Sequence, residues 1–373
     1  MKILWVFSSF GVGGAQRRFA ALAGALGPDL QHVVSAMDDR YEAEALIPPS
    51  AWIRLRPIRA RKGRFVSMAN LGEFSRILAE ERPDVLVTTN WGAVEWAFAA
   101  RGATGHLHCE DGFGPDERAD RQAARRVWGR RLAFRRADAV LVPSRELERV
   151  ARETWLVRPS KLRFTPNGVE TARFAEAGAA RSSAANRPLV VGSVGAMRPE
   201  KRFDRLLRVF SALAAERGDL RLLLVGDGPE RPALEALAAK LGISRLVEFA
   251  GAQSEVAPFY ARMDAFALTS DTEQAPLALI EAMASGLPAA ATDVGDVSAM
   301  LSPGNRPYVA PVDDETGLAR RLGALLGDAD LRESLGGANA ARVAAEYDVS
   351  AMAGRWRRIF EEIAPGRRER ARA

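Results

Sequence analysis

The feature that most constrains this chain is a set of short, continuously apolar segments that alternate with helical patterns and fall into two series. The first series covers residues 3–7, 32–36, 51–55, 85–88, 105–108, 139–142 and 162–165. The second covers 189–194, 220–225, 247–250, 265–268, 289–292 and 308–309. Helical periodicity occupies intervening stretches such as 15–26, 67–81, 205–216 and 232–241. Strands that are apolar along their whole length belong to parallel sheets covered by helices on both faces. Two such series predict an α/β chain with two doubly wound, Rossmann-like units. In open α/β sheets ligands bind beyond the carboxyl ends of the strands. The loops at those ends are therefore where chemistry is expected.

The 373 residues suffice for two or three domains at roughly 150 residues each. With 47% hydrophobic and 27% charged residues, disorder is excluded. Residues 176–188, rich in Ala, Ser and Gly, read as a linker, which predicts an N-terminal domain over 1–180 and a C-terminal domain over 187–349. A terminal helix over about 350–365 follows. The single Cys109 rules out an intramolecular disulfide framework and fits a reducing compartment. No segment has ~18 uninterrupted apolar residues, and the first residues read as a strand rather than a signal peptide, so a cytoplasmic protein is expected.

Several loops carry candidate chemistry. Phe7 to Arg18 joins the first strand to the first helix, and Gly11, Gly13 and Gly14 let a ligand approach the backbone there, with Arg17 and Arg18 adding charge. A dinucleotide fingerprint would need Gly at position 16, which is Gln; Asp38 at the second strand's end keeps a nicotinamide reading open. His106 and His108 point to the same side of their strand, the geometry of paired metal ligands or of an imidazole presented to a ligand. Arg198 and Lys201, in the loop after the strand at 189–194, form a cationic pair able to hold a phosphate group. In Thr269 to Pro288, two carboxylates, Glu273 and Glu281, flank a helix entrance expected at Ala275, Pro276 and Leu277, a place where a helix offers backbone amides to a ligand. Two such carboxylates can each grip a vicinal diol on one extended ligand.

This last stretch resembles the Glu-x7-Glu motif of retaining glycosyltransferases of family 4, through to Glu281-Ala282-Met283-Ala284-Ser285-Gly286-Leu287-Pro288. Further pieces agree in order: Gly13-Gly14-Ala15-Gln16-Arg17, Pro166-Asn167-Gly168-Val169, Val194 to Lys201, Val225-Gly226-Asp227-Gly228-Pro229 and Ala291-Thr292-Asp293-Val294-Gly295. The resemblance spans nearly the whole chain. It implies a GT-B fold, two doubly wound domains facing across a cleft, with the terminal helix crossing back onto the first. It also implies a nucleotide-sugar donor, UDP- or GDP-linked, bound by the C-terminal domain.

In that reading Glu281 holds the ribose hydroxyls, Glu273 the donor sugar, and Arg198 and Lys201 the departing diphosphate. The family places Arg directly after the loop glycine; here that residue is Ala196, and Arg198 is expected to substitute. His108 matches the family's His near the donor sugar, and Gly13 and Gly14 bring backbone close to diphosphate or acceptor. The reaction implied retains anomeric configuration through an oxocarbenium-like state and uses neither metal nor cofactor, the nucleotide-sugar being a co-substrate. A nucleotide-sugar epimerase of the same architecture and a non-catalytic nucleotide-sugar binder are the alternatives.

Charge divides unevenly. Residues 1–187 hold 30 Lys/Arg against 21 Asp/Glu, while 188–373 hold 23 against 26. Arginines cluster at Arg54, Arg56, Arg59, Arg61, Lys62 and Arg64, and again from Arg118 to Arg136 with Trp128 and Leu132 interspersed. A basic helix with aromatic residues suits an anionic membrane surface and a glycan or lipid-linked acceptor at its inner face. No recognition motif points to nucleic acid.

Overall fold

The computed structural model describes residues 1–60, 67–100, 102, 104–114, 117–181 and 187–365. It divides into two compact units, residues 1–167 with 349–373, and residues 168–348. The first unit is built on β1 (Lys2–Phe7), β2 (Gln31–Ala36), β3 (Ile53–Leu55), β4 (Val85–Thr89), β5 (Gly105–Cys109), β6 (Ala139–Val142) and β7 (Leu162–Phe164). These form a seven-stranded sheet in the order β3-β2-β1-β4-β5-β6-β7, with every pairing parallel. Its helices include α1 (Gly14–Leu26), α2 (Met68–Glu81), α3 (Asn90–Ala93), α4 (Ala124–Arg136) and α5 (Arg145–Glu153). Ser144 caps α5 by accepting from the Leu147 amide at 3.0 Å.

The second unit carries β8 (Leu189–Val194), β9 (Leu220–Val225), β10 (Val247–Gly251), β11 (Ala265–Leu268), β12 (Ala289–Thr292) and β13 (Val309–Ala310) in a parallel sheet ordered β10-β9-β8-β11-β12-β13. Around it lie α6 (Thr171–Ala179), α7 (Phe203–Glu216), α8 (Arg231–Lys240), α9 (Ala257–Tyr260), α10 (Leu277–Ala284), α11 (Val297–Met300), α12 (Glu315–Gly327) and α13 (Ala329–Glu346). Both strand orders reverse direction beside the first strand of their unit, which makes a topological switch point in each sheet.

The division falls at Asn167/Gly168, thirteen residues before the expected 180. The Ala-rich stretch read as the start of a linker instead completes α6. Its Phe174 packs edge-on against Tyr260 of α9 at 5.7 Å, within the core of the second unit. Residues 182–186 of the proposed linker lie outside the described set.

The chain re-enters the first unit with α14 (Val349–Ile363). Trp356 and Phe360 of this helix meet Trp5 of β1 at 5.4 and 6.0 Å. Gly105 opens β5 where a Cβ would come within 2.4 Å of the Ile363 carbonyl oxygen, so only glycine lets the helix end settle there.

Candidate active site

The strongest convergence of polar groups lies at the carboxyl ends of the strands of the second unit. After β8 the chain makes a short turn over Pro199–Lys201, and Arg202 enters α7 with a left-handed backbone (φ 50°). Such a conformation costs a non-glycine residue on the order of 1–3 kcal/mol and persists where neighbours enforce it. The neighbours here belong to the loop after β11. Asp271 accepts from Arg202 at 3.0 Å and from Arg205 at 2.8 Å, and its amide donates to the Glu200 carbonyl at 2.8 Å. Thr269 donates to the Arg202 carbonyl at 3.0 Å. The two loops are thus laced together, and the lacing sets Lys201 beside Glu273, Nζ to Oε1 at 2.5 Å. Ser270 donates to the same oxygen at 2.7 Å.

The loop after β12 braces Glu273 from its other side. Gly295 has φ 54°, and a Cβ on it would meet the Glu273 carbonyl oxygen at 2.3 Å. Thr292 donates to the Ser270 carbonyl at 2.6 Å, and the Asp296 amide to the Gln274 carbonyl at 3.0 Å. Three separated motifs therefore meet in one constellation. Pro276 caps α10 with an extended backbone and has no N–H of its own to give; Ala275 is buried and Leu277 begins the helix. Glu281, one turn further, is almost fully buried, and Tyr260 donates to its Oε2 at 2.8 Å. Arg198, at the start of the cationic turn, is exposed, whereas Lys201 is drawn onto Glu273.

In the first unit the residues behave differently from expectation. His108 is not presented at its strand end. Its ring is buried, lies 4.8 Å from Phe134, and has both nitrogens occupied: Nδ1 by Thr88 Oγ1 at 2.8 Å and Nε2 by Glu110 at 3.2 Å. Thr88 also bonds His106 Nε2 at 2.9 Å, so one hydroxyl joins the two imidazoles. The chain continues to Arg130, fully buried between Glu110 and Glu117 and stacked between Trp91 and Trp155 at 5.4 and 5.0 Å. Burial alone would raise the Glu110 carboxyl, but Arg130 and His108 outweigh it and hold it below the ordinary value. Without a ligand, His108 is thus held internally, by Thr88 on adjacent β4 and by Glu110.

Gly13 caps α1, and Gly14 is exposed at the helix start, with open space where a Cβ would stand. Arg18, read as a free cation, is buried; it forms an ion pair with Asp111, and its guanidinium also bonds Asn167 Oδ1 at 3.3 Å. Asn90, beyond β4, has a left-handed backbone (φ 58°) and accepts from the Asp111 amide at 2.8 Å. Asp111 and Asn90 were not singled out from the sequence. An asparagine directly after an apolar strand, a residue that tolerates this conformation, was the available signal.

Burial sets the titration of two histidines. His32, buried and beside the positive N-terminus, is pushed down to about 4, and His106, buried with His108 and Lys161 nearby, to about 3. The unfolded chain takes these protons near 6.5. Their contribution is therefore complete above that value and is lost as pH falls toward 4. Stability is expected to drop by on the order of 2 kcal/mol per histidine between pH 7 and pH 5. Urea unfolding at the two pH values measures it, and an unchanged midpoint would contradict neutral burial.

The basic runs do not form one solvated stripe. Arg54 and Arg56 pair with Glu81 and Glu80, Arg126 pairs with Glu117, and Arg130 is internal; Arg61, Lys62 and Arg64 lie outside the described residues. What α4 does expose is Arg125, Trp128, Leu132 and Arg135 along one face, with Trp128 67% accessible and Arg131 stacked on it at 5.0 Å. Among the described residues, no helix is long and apolar enough to cross a membrane.

Residues 12–173 match the family described as Glycosyltransferase Family 4, and residues 177–342 that described as Glycosyl transferases group 1. The chain belongs to glycosyltransferase family 4. This glycosyltransferase is 28% identical over 335 residues to the lipopolysaccharide core biosynthesis glycosyltransferase LpsE of Rhizobium meliloti (strain 1021), across 87% of this chain and 88% of that protein. It is 37% identical over 139 residues to the N-acetyl-alpha-D-glucosaminyl L-malate synthase of Bacillus anthracis, a match that spans 37% of this chain and about a third of that protein, 36% of its length. The crystal structure of Anabaena HepE in complex with UDP superposes with a TM-score of 0.79 at 17% identity, covering 97% of the glycosyltransferase and all of HepE. The fold is GT-B.

Proposed function

We propose that the protein is a retaining, metal-independent glycosyltransferase that moves a sugar from a nucleotide-diphosphate sugar to a glycan or lipid-linked acceptor in cell-surface polysaccharide or glycolipid synthesis. The observation that carries this reading is the Lys201–Glu273 pair on two laced loops, with Glu281 one turn into the helix that follows. Without ligand, the ammonium and the carboxylate neutralise each other. A donor separates their tasks: its diphosphate takes Lys201, and its sugar hydroxyls take Glu273. Arg198, exposed at the same turn, adds charge to the diphosphate, and the Leu277 amide at the entrance of α10 supplies a backbone donor. Glu281 holds the ribose. Charge develops on the leaving phosphate, where a fixed cation is most effective. Glu110 and Arg130 are internal, and Gly14 leaves room for the acceptor beside α1. The UDP in HepE and the lipopolysaccharide core role named for LpsE support a UDP-linked donor and a lipid-linked acceptor.

Incubation with UDP-, GDP- and ADP-sugars, with products resolved by NMR, tests the reading. Transfer or slow donor hydrolysis with retained anomeric configuration is expected. Interconversion of the donor sugar without an acceptor indicates an epimerase instead, and saturable binding without turnover indicates a binder.

We also propose that the exposed face of α4 rests on an anionic bilayer at the inner side of the cell membrane, since arginines flank its apolar pair. Sedimentation with vesicles of phosphatidylglycerol and phosphatidylcholine is expected to carry the protein down. Trp128→Ala with Leu132→Ala should weaken binding at least tenfold, at about 1.5–3 kcal/mol per buried side chain. A wild-type protein that stays in the supernatant refutes the docking.

A further inference from the structure

Tyr260 ends the short helix α9 and is the largest polar side chain of the second unit with no exposure at all. Its ring is clamped edge-on by Phe174 at 5.7 Å and lies 6.1 Å from Phe266 of β11. Sheet and helix therefore fix where the hydroxyl points. It points at α10, 3.1 Å from the Ala278 carbonyl oxygen and 2.8 Å from Glu281 Oε2. A buried hydroxyl needs one acceptor, and the backbone carbonyl alone would serve. The shorter approach is to the carboxylate, the stronger acceptor.

We infer that Tyr260 is a positioning residue for the nucleotide, acting through Glu281. The inference rests on the reading of Glu281 as the ribose ligand. A glutamate has three rotatable bonds, and ordering it costs on the order of 1.5–2 kcal/mol. The tyrosine meets that cost before any ligand arrives. Cross-strand and helix packing behind the ring thus become nucleotide affinity: the aromatic clamp holds Tyr260, and Tyr260 holds the carboxylate in the rotamer that a ribose meets.

The test is a double-mutant cycle with UDP and GDP titrated calorimetrically into wild type, Tyr260→Phe, Glu281→Ala and the double variant. Phenylalanine preserves the ring and its packing. Tyr260→Phe is expected to weaken binding of the preferred nucleotide about tenfold, with donor KM rising alike and kcat at saturation within twofold of wild type. In the Glu281→Ala background the same change should have no further effect. Additive losses in the two backgrounds, or a Tyr260→Phe protein that binds like wild type while Glu281→Ala binds weakly, overturn the positioning role. If Glu281→Ala itself binds both nucleotides like wild type, the ribose reading fails, and the tyrosine has nothing to position.

Discussion

Lys201→Ala is expected to slow sugar transfer about 10²–10³-fold while changing stability by no more than about 1 kcal/mol. The asymmetry follows from the environment of the ammonium. Its side chain is 29% accessible against 9% for Glu273, so solvent screens the pair, and the ion pair adds little to the fold. Removing the lysine also leaves Glu273 its bond from Ser270. Charge on a departing diphosphate, by contrast, has no other fixed lysine on this turn to meet it, and Arg198 approaches from solvent. Glu273→Ala should lower the rate by about 10²-fold through loss of sugar orientation, and should raise affinity for free nucleoside diphosphate because Lys201 is released. Initial rates of nucleoside diphosphate release, with binding and thermal melting measured in parallel, separate these effects. Wild-type rates in both variants would remove the assignment.

Arg130→Met is expected to be the most destabilising single change in the first unit, by about 3–5 kcal/mol. The guanidinium neutralises Glu110 and Glu117, both essentially inaccessible, and fills the slot between Trp91 and Trp155. A methionine fills that volume but leaves two buried carboxylates without their shared counter-ion, with only His108 remaining beside Glu110 and Arg126 beside Glu117. They must then take up protons, so the loss should grow between pH 5 and pH 8. Adding Glu110→Gln and Glu117→Gln should recover part of the stability in urea denaturation. If Arg130→Met melts like wild type, the network is not holding charge in the interior.

Much of the fold was legible because most strands are short and largely apolar; 139–142, 189–194, 220–225, 265–268 and 289–292 were read with the bounds observed. The carboxylate loop was also legible, since Glu273, the proline entrance and Glu281 are local in sequence. The domain border was less so. Ala-Glu-Ala-Gly-Ala-Ala reads as a linker by composition, and only contact of Phe174 with Tyr260 makes it a helix of the second unit. The partners of His108 were hidden for a related reason. Its strand-end position was correctly seen, but its partner Thr88 lies twenty residues away on a neighbouring strand. Asn90, Asp111 and Tyr260 were invisible for the same cause: their meaning depends on partners that periodicity and motif spacing do not record.

The return of the chain through α14 fixes an order of events during synthesis. Residues 168–348 are contiguous, so that unit can close on itself as soon as it has left the ribosome. The earlier-made unit cannot, because the indole of Trp5 waits for Trp356 and Phe360, encoded some 350 codons later. Until then an aromatic surface around Trp5 stands open to solvent. A strand made before the second unit is thus completed only after it, and in that interval its apolar surface is open to misassembly.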